Sequence, residues 1–368
     1  MDAVVIAAGG TGGHLYPALA VAAELKGLAP GLGVRFTGSA AGLEARVVPA
    51  EGWAFTPLKS SAWHRGRPLT MITGGARALA GSWRGFRLFR ATGTRVVFST
   101  GGFTSAPALL AATLARVPIV LHEPNRQPGV VNRIFGKVAS RVTVGDGEAG
   151  RFFPRGRVRV TGVPVRRSVL EGDRVRGRLS LGIENGAFMV LVLGGSQGAG
   201  AINRALIDAL PALWAAAPAS SVVWLCGRAA ETALASVARS AAVPVRLIGY
   251  LDDMASALAA ADLVVARAGA STVAELTATG RPSILVPYPH AAADHQTRNA
   301  EALVAAGAAI MIPEPELDGL RLARAIASLA GNEARRALMG RRAAELGRPD
   351  AARAVAREIL ETIGEVPA

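Results

Sequence analysis

The chain has 368 residues, a formal charge of +14 at pH 7 and 51% hydrophobic residues. This length predicts two or three domains with large buried cores, and the composition excludes a disordered tail and a coiled coil. The single cysteine, Cys226, excludes a disulfide scaffold and a Cys-rich zinc site and fits a reducing cytoplasm. We expect no transmembrane helix and no signal peptide, because no long uncharged apolar run is present and the N-terminus opens into a strand-like run.

The basic charge is concentrated in the first half of the chain. Residues 1–160 hold 20 basic and seven acidic residues, whereas residues 161–368 hold 21 and 20. No acidic residue lies between Glu51 and Glu123. This asymmetry predicts an anionic partner, either nucleic acid or an anionic membrane surface. A compositional bias would explain why only three basic residues are lysine, but not why acidic residues are missing.

Short β-branched runs alternate with longer Ala/Leu-rich helical patterns along the whole chain. The predicted strands are residues 3–7, 34–37, 95–99, 119–122, 158–161, 188–193, 221–226, 245–248, 263–266, 283–286 and 309–312. The predicted helices are residues 17–28, 104–115, 201–209, 231–239, 272–279, 295–306 and 320–329, with a final one at 349–363. The alternation predicts parallel sheets with crossover helices, the α/β class.

A strand, a Gly-rich turn and a helix occur twice, starting near residues 4 and 190. Two facing, doubly wound, Rossmann-like domains with a cleft between them explain this repeat, and ligands in such folds bind at the carboxyl ends of the strands. We place the domains at residues 1–162 and 163–348. Two-domain geometry suggests that the final helix packs back on the first domain.

The first Gly-rich loop, GGTGGH at residues 9–14, precedes a helix whose amides and dipole favour an anion. No acidic residue ends the second strand, so the loop is not a dinucleotide fingerprint, and it lacks the lysine of a P-loop. It is a ligand loop or a tight turn. His14 at its end is a general base for a hydroxyl or a capping histidine.

The second Gly-rich loop, GGSQGA at residues 194–199, also opens a helix. Ser196 is predicted to donate to a phosphate, and an ordinary N-cap role is compatible with that. Two polar segments, RAGASTVAE at residues 267–275 and DHQTRN at residues 294–299, follow buried strands on the same sheet edge.

These two segments carry candidate sugar ligands. Glu275, in the predicted first turn of a helix, is a ribose ligand or a charge placed there by the helix dipole. His295, Gln296 and Asn299 suit a sugar, or form a capping cluster behind Asp294.

The HEPN segment at residues 122–125 follows a buried strand of the first domain. Asn125 is predicted to bind sugar hydroxyls. His122 and Glu123 either pair and orient the loop, which we favour, or form a catalytic dyad. No metal site is predicted, because no histidine pair has ligand spacing.

Residues 61–95 interleave apolar and basic side chains. The predicted membrane-facing residues are Ile72, Leu79, Trp83 and Phe86, at near-helical spacing, with Arg84, Arg87 and Arg90. The pattern is typical of an amphipathic helix on an anionic bilayer. The alternatives are a core-facing helix with a solvated basic face and an RNA-binding segment.

Taken together, seven motifs resemble the MurG family. They are GGTGGHxxP at residue 9, GGFTSAP at 101, HEPN at 122, GVPVR at 162, GGSQGA at 194, RAGASTVAE at 267 and DHQTRNA at 294. The resemblance implies a GT-B fold and transfer of N-acetylglucosamine (GlcNAc) from UDP-GlcNAc to lipid I, forming lipid II for peptidoglycan. It also implies peripheral attachment to the cytoplasmic face of the membrane, and no cofactor, metal or nucleic acid. Other cell-wall synthesis proteins are further expected partners.

The family pattern assigns roles residue by residue. His14 matches the general base of an inverting displacement. The donor-binding residues implied are Thr11, Gly12, Gly13, Asn125, Arg166, Ser196, Leu251, Ala270, Ser271, Thr272, Glu275, His295 and Gln296. Phe103 stands where the family commonly has tyrosine. Alternatives are another GT-B enzyme, such as one with a different lipid acceptor or a UDP-GlcNAc 2-epimerase, and a non-catalytic, basic nucleic-acid-binding protein.

Overall fold

The computed structural model describes residues 4–59, 68–184, 186–194 and 199–365, without the side chains of residues 68–78 and 292. The chain divides into two compact units. Unit 1 runs to Arg166 and resumes at Arg348, and unit 2 is Arg167–Gly347. The sequence placed the boundary four residues earlier.

Each unit is built on one parallel sheet. Unit 1 has seven strands, with β4 at the centre: β1 Val4–Ala8, β2 Val34–Gly38, β3 Ala54–Pro57, β4 Val96–Gly101, β5 Ile119–Glu123, β6 Arg141–Val144 and β7 Val158–Val160. Their order is β3-β2-β1-β4-β5-β6-β7. Unit 2 has six: β8 Phe188–Leu193, β9 Ser220–Leu225, β10 Val245–Ile248, β11 Leu263–Ala266, β12 Ser283–Leu285 and β13 Ala309–Met311. Their order is β10-β9-β8-β11-β12-β13.

Helices connect the strands. In chain order they are α1 Gly12–Leu28, α2 Leu43–Ala50, α3 Pro68–Thr92, α4 Ala106–Ala115, α5 Val130–Phe135, α6 Gly147–Gly150, α7 Arg167–Leu170, α8 Arg174–Leu181, α9 Gly200–Ala216, α10 Glu231–Ser240, α11 Met254–Ala260, α12 Ala270–Ala278, α13 His295–Ala305, α14 Gly319–Ala330, α15 Glu333–Leu346 and α16 Ala351–Thr362. Within the described ranges, none of these helices is long and apolar enough to span a membrane.

Helices cover both faces of each sheet, which is why inner strands such as β1 and β8 are apolar throughout. In unit 1, α1 and α16 pack together on one face, and α3 packs on α4 on the other. Glu358 of α16 pairs with Arg141 of β6 at 3.0 Å, so the C-terminal helix belongs to the first unit. In unit 2, α9 packs on α14, and the buried Trp224 indole donates to Asn203 at 2.9 Å.

The α/β class and the alternation of strands and helices are confirmed. Two strands were missed, β3 and β6. The first is an edge strand that ends on a proline and follows Gly52, so its sequence is typical of a turn. α1 begins at Gly12, five residues before the predicted start. The Gly-rich loop therefore ends inside the first turn of the helix, which includes His14.

Candidate active site

His14 is held at the carboxyl edge of the unit 1 sheet by Thr100. Its ring Nδ1 lies 2.9 Å from the carbonyl oxygen of Thr100, and the Thr100 hydroxyl donates back to the His14 carbonyl at 2.8 Å. A carbonyl can only accept, so Nδ1 donates, and the basic lone pair of a neutral His14 is on Nε2. The geometry makes His14 a chemically suitable proton acceptor.

The loop after β4 approaches His14 closely. Gly102 has φ +84°, and a Cβ there would lie 3.2 Å from His14 Cδ2 and 3.0 Å from the Gly9 carbonyl oxygen. Both the backbone conformation and the close approach therefore require glycine. Phe103, which replaces the common tyrosine, is 41% exposed and lies beside Gly10.

His122 is a buried neutral histidine. Burial, and secondarily the charge of His14, lower its pKa to about 3. The Thr143 hydroxyl donates to Leu121, so it accepts from His122 Nδ1 at 3.0 Å. The predicted pairing of His122 with Glu123 is wrong, because successive strand residues point to opposite faces of the sheet.

Glu123 instead organises the loop that follows β5. Its buried carboxylate accepts from Asn125 N at 2.9 Å, Asn125 Nδ2 at 3.2 Å, Gly129 N at 3.1 Å and Asn132 Nδ2 at 2.9 Å. Burial raises the pKa of Glu123, and these four hydrogen bonds oppose that rise. Glu123, without His122, therefore orients this loop as predicted. It holds both the backbone N and the side-chain Nδ2 of Asn125.

Arg166 is the last residue of unit 1 before the chain enters unit 2. Its guanidinium stacks over the ring of Tyr16 on α1, 4.5 Å from the ring centroid. Its buried Nε has no hydrogen-bond partner among the described residues. A planar cation with an unsatisfied donor suits an anionic ligand.

In unit 2, Ala270, Ser271 and Thr272 form the first turn of α12, where the helix dipole is positive. Arg267, just before this turn, donates to the carbonyls of Val286 and Pro287 and pairs with Glu314 at 2.5 Å. Arg267 thus ties the loop after β11 to the segment that follows β12.

Glu275 lies in the second turn of α12, not in the first as predicted, because the helix begins two residues earlier. The helix dipole acts mainly on the first turn. It therefore gives little reason for a carboxylate at Glu275, and the alternative that the dipole placed this charge is weakened.

Gln296 lies at the start of α13, and its Oε1 accepts from the backbone N of Tyr288 at 3.0 Å. His295 is the first residue of the same helix. The predicted capping by Asp294 is wrong: its φ is +53°, and its side chain accepts from the Thr297 hydroxyl at 2.6 Å. Asn299 is buried and donates to the carbonyl of Ala268, so it supports the turn before α12.

Leu251 follows β10 and is partly buried. The preceding Tyr250 is 42% exposed and has the Arg228 guanidinium 4.7 Å from its ring centroid.

In the first loop, Thr11 precedes α1, and Gly12 and Gly13 lie in its first turn. Ser196 and the side chain of Ile72 lie outside the described residues.

The C-terminal half of α3 has two distinct faces. Ser82 and Phe89 are buried at 2% exposure, and Gly85 approaches Ala111 of α4. On the other side Leu79 is 64% and Trp83 66% exposed, and Trp83 stacks on Phe86 at 5.8 Å. Arg84, Arg87 and Arg90 are also exposed. Leu79 and Trp83 are therefore not the core-facing residues that the alternative required. Phe86 is partly buried and packs against the unit 1 core, so its prediction as a membrane-facing residue is only partly met.

Across the described ranges, no three His, Cys, Asp or Glu side chains are grouped as a metal ion would require. The absence of a metal or cofactor requirement stays a prediction.

Comparison with known proteins identifies the family. The glycosyltransferase family 28 N-terminal domain model matches residues 4–144, and the C-terminal domain model matches residues 189–355. A Moorella thermoacetica protein named UDP-N-acetylglucosamine–N-acetylmuramyl-(pentapeptide) pyrophosphoryl-undecaprenol N-acetylglucosamine transferase is 40% identical, covering 98% of this chain and 99% of its own length. This chain belongs to the MurG family.

A solved structure supports the assignment. The crystal structure of Acinetobacter baumannii MurG is 26% identical with a TM-score of 0.76, covering 98% of this chain and all of its own. A putative UDP-GlcNAc 2-epimerase from Listeria monocytogenes has a TM-score of 0.69 at 16% identity, over 100% of this chain and 98% of its own. That identity shows only a shared fold, so the epimerase alternative is not favoured. The predicted family, fold class and glycosyltransferase activity are confirmed.

Two buried polar side chains near His14 and Asn125 were not predicted from the sequence. Asn132 bridges Glu123 and the carbonyl of His122 from α5. Glu44 reaches the first Gly-rich loop from α2. Neither stands in a recognisable motif. The one available signal was that Glu44 is the only acidic residue between Glu24 and Glu51.

Proposed function

We propose that this chain transfers GlcNAc from UDP-GlcNAc to the 4-hydroxyl of the MurNAc residue of lipid I, forming lipid II with inversion at the anomeric carbon. The observation that carries the proposal is the near full-length likeness, at 40% identity, to a transferase whose name states that reaction. The alternative of a non-catalytic nucleic-acid-binding protein explains neither this likeness nor the site.

His14 is the proposed general base. Because Nδ1 donates to Thr100, Nε2 accepts the proton of the MurNAc 4-hydroxyl as that oxygen bonds to the anomeric carbon of GlcNAc. The bond from that carbon to the UDP oxygen breaks on the opposite face, and UDP leaves with the electron pair. The Thr100 contact keeps Nδ1 as a donor and holds the ring in one orientation throughout the step.

Unit 2 is the proposed nucleotide-sugar unit. The first turn of α12, with Ala270, Ser271 and Thr272, faces the diphosphate with its positive dipole end. Glu275 accepts from the ribose hydroxyls, the backbone at Leu251 meets the uracil, and His295 and Gln296 bind the GlcNAc. In unit 1, Asn125 contacts the donor sugar, and the cation of Arg166 balances charge that develops on the departing UDP. Deleting a preorganised donor to that developing charge, such as the Arg166 guanidinium, typically raises the activation barrier by about 3–4 kcal/mol.

The exposed face of α3 is the proposed membrane contact, on the cytoplasmic side. Leu79 and Trp83 provide an apolar patch, against which the partly buried Phe86 stacks, and Arg84, Arg87 and Arg90 are exposed around it. Each arginine near an anionic leaflet contributes about 1 kcal/mol. The acceptor is itself a diphosphate-linked lipid, so a basic apolar face suits the surface that carries it.

The deciding experiment follows labelled GlcNAc from UDP-GlcNAc to a lipid I analogue. We expect a labelled disaccharide lipid from the wild-type chain, with UDP released in equal amount. UDP-GlcNAc consumption without a labelled lipid product would contradict the acceptor assignment. Release of free UDP and an altered sugar without acceptor would indicate epimerase chemistry instead.

A further inference from the structure

A buried carboxylate sits against the loop that carries His14. Glu44, in the first turn of α2, has no solvent exposure. Its Oε2 accepts from the backbone N of Gly10 at 3.0 Å, and its Oε1 accepts from the backbone N of Ser39 at 2.8 Å. The carboxylate thus joins the loop after β1 to the loop after β2.

Three glycines form the space that this carboxylate fills. A Cβ on Gly9 or Gly42 would overlap the Glu44 carboxylate, and one on Gly38 would lie 2.7 Å from Glu44 Cγ. These glycines come from three separate points of the chain, at the ends of β1 and β2 and just before α2. All three positions must lack a side chain for the carboxylate to fit.

The space lined by Gly9, Gly38 and Gly42, here called the cradle, lies where the chain leaves β1 and β2. Rossmann-like domains hold the anionic group of a ligand where a Gly-rich loop follows the first strand. In this chain the carboxylate of Glu44 accepts from the backbone N of Gly10 in that loop. No basic side chain pairs with it among the residues that the structure describes. Backbone amides and the N-terminus of α2 therefore stabilise the buried charge.

We propose that Glu44 is a built-in anion that positions the Gly-rich loop, and through it His14, for proton transfer. The loop is held between two contacts: Glu44 lies against Gly9 and Gly10, and Gly102 approaches the Gly9 carbonyl and the His14 ring on the other side. Without the carboxylate, the Gly10 amide loses its partner and the loop can move into the space left behind. Glu44 touches no substrate in this account and is a positioning residue.

This inference rests on the proposed function, since it concerns the same base. It predicts a specific pattern: kcat falls while the affinity for UDP is nearly unchanged, because the residues proposed to contact the uracil and the ribose, Leu251 and Glu275, lie in unit 2. A general loss of folding would lower both. The predicted pattern therefore separates positioning of the base from damage to the protein.

The test compares Glu44→Ala and Glu44→Gln with Glu51→Ala, which removes an exposed carboxylate at the other end of the same helix. In Glu44→Ala we expect kcat for GlcNAc transfer to fall at least roughly 10-fold, as loss of base alignment requires. The dissociation constant of UDP should stay within about twofold of the wild-type value. Glu51→Ala should match the wild type in both.

Small-carboxylate rescue sharpens the test. Sodium formate should raise kcat of Glu44→Ala several-fold above sodium chloride at equal ionic strength, because formate can occupy the cradle and accept from Gly10 and Ser39. It should not raise kcat of the wild type or of His14→Ala. A folded Glu44→Ala variant with wild-type kcat, or with reduced kcat that formate does not restore, overturns the inference.

Glu44→Gln keeps the test decisive if the alanine variant does not fold. The amide keeps one acceptor oxygen and turns an NH2 group toward the other backbone N–H, so kcat should be lowered with UDP affinity retained. A wild-type kcat for Glu44→Gln would overturn the inference. Absence of GlcNAc transfer by the wild-type chain would instead contradict the proposed function.

Discussion

His14 and Thr100 are joined by two reciprocal hydrogen bonds, one from the imidazole Nδ1 to the Thr100 carbonyl at 2.9 Å and one from the Thr100 hydroxyl to the His14 carbonyl at 2.8 Å. The two residues belong to α1 and β4, which are far apart in sequence. The pair fixes which imidazole nitrogen carries the proton, and the proposed chemistry depends on that choice.

Replacing this base should affect turnover far more than binding. We expect His14→Ala to lower kcat by ~10²-fold or more, the usual contribution of general-base catalysis, while UDP-GlcNAc still binds. Steady-state transfer to a lipid I analogue and calorimetric titration with UDP-GlcNAc measure the two quantities separately. Near-wild-type turnover would remove His14 from the base role.

Glu275 tests the nucleotide site. We expect Glu275→Ala to weaken UDP binding by roughly 10- to 100-fold, since a hydrogen bond to a charged group contributes about 1.5–3 kcal/mol. Glu301→Ala is the matched control, because it removes an exposed carboxylate from the neighbouring α13. An unchanged UDP dissociation constant for Glu275→Ala would refute the ribose contact.

The basic residues of α3 test the membrane contact. Reversing Arg84, Arg87 and Arg90 to glutamate should remove about 3 kcal/mol of attraction and add repulsion, so partitioning to anionic liposomes should fall by more than roughly 100-fold. Reversal of three exposed arginines of unit 2, Arg324, Arg335 and Arg341, makes the same change in net charge and should be much less damaging. Equal losses from the two triple variants would mean that net charge, not the α3 face, drives binding.

His122 gives a prediction about pH and stability. Its pKa in the folded protein, about 3, lies below the ordinary value of 6.5, so between these values the unfolded chain binds the proton more tightly. The contribution of neutral His122 to the free energy of unfolding is therefore complete above pH 6.5 and is lost as the pH falls toward 3. From about pH 8 to pH 5, the wild type should lose about 2 kcal/mol of unfolding free energy relative to His122→Phe.

Chemical denaturation at the two pH values measures this difference. The exposed His290→Phe serves as the control, and its pH dependence should follow that of the wild type. If the stability difference between the wild type and His122→Phe is the same at both pH values, the imidazole of His122 is not the buried neutral group described above.

Local patterns were sufficient for most of the fold. Apolar runs such as Phe188–Leu193 and Leu263–Ala266 matched the observed strands at both ends, because a strand covered on both faces must be apolar throughout. Errors arose at edges and caps. β3 resembles a turn, and α12 begins before Thr272 because Ala270 and Ser271 extend the helix toward Gly269.

The sequence by itself determined the α/β class, the family and the order of the site motifs, since periodicity and motif spacing are properties of contiguous residues. Only the tertiary structure decided which groups meet: Thr100 with His14, Glu123 with Asn132, and Glu44 with Gly10. The concentration of positive charge in the first half was visible in the sequence. Only the tertiary structure showed that Leu79 and Trp83 of that half point away from the core. Such pairings depend on where the chain returns in space, and no local pattern records that.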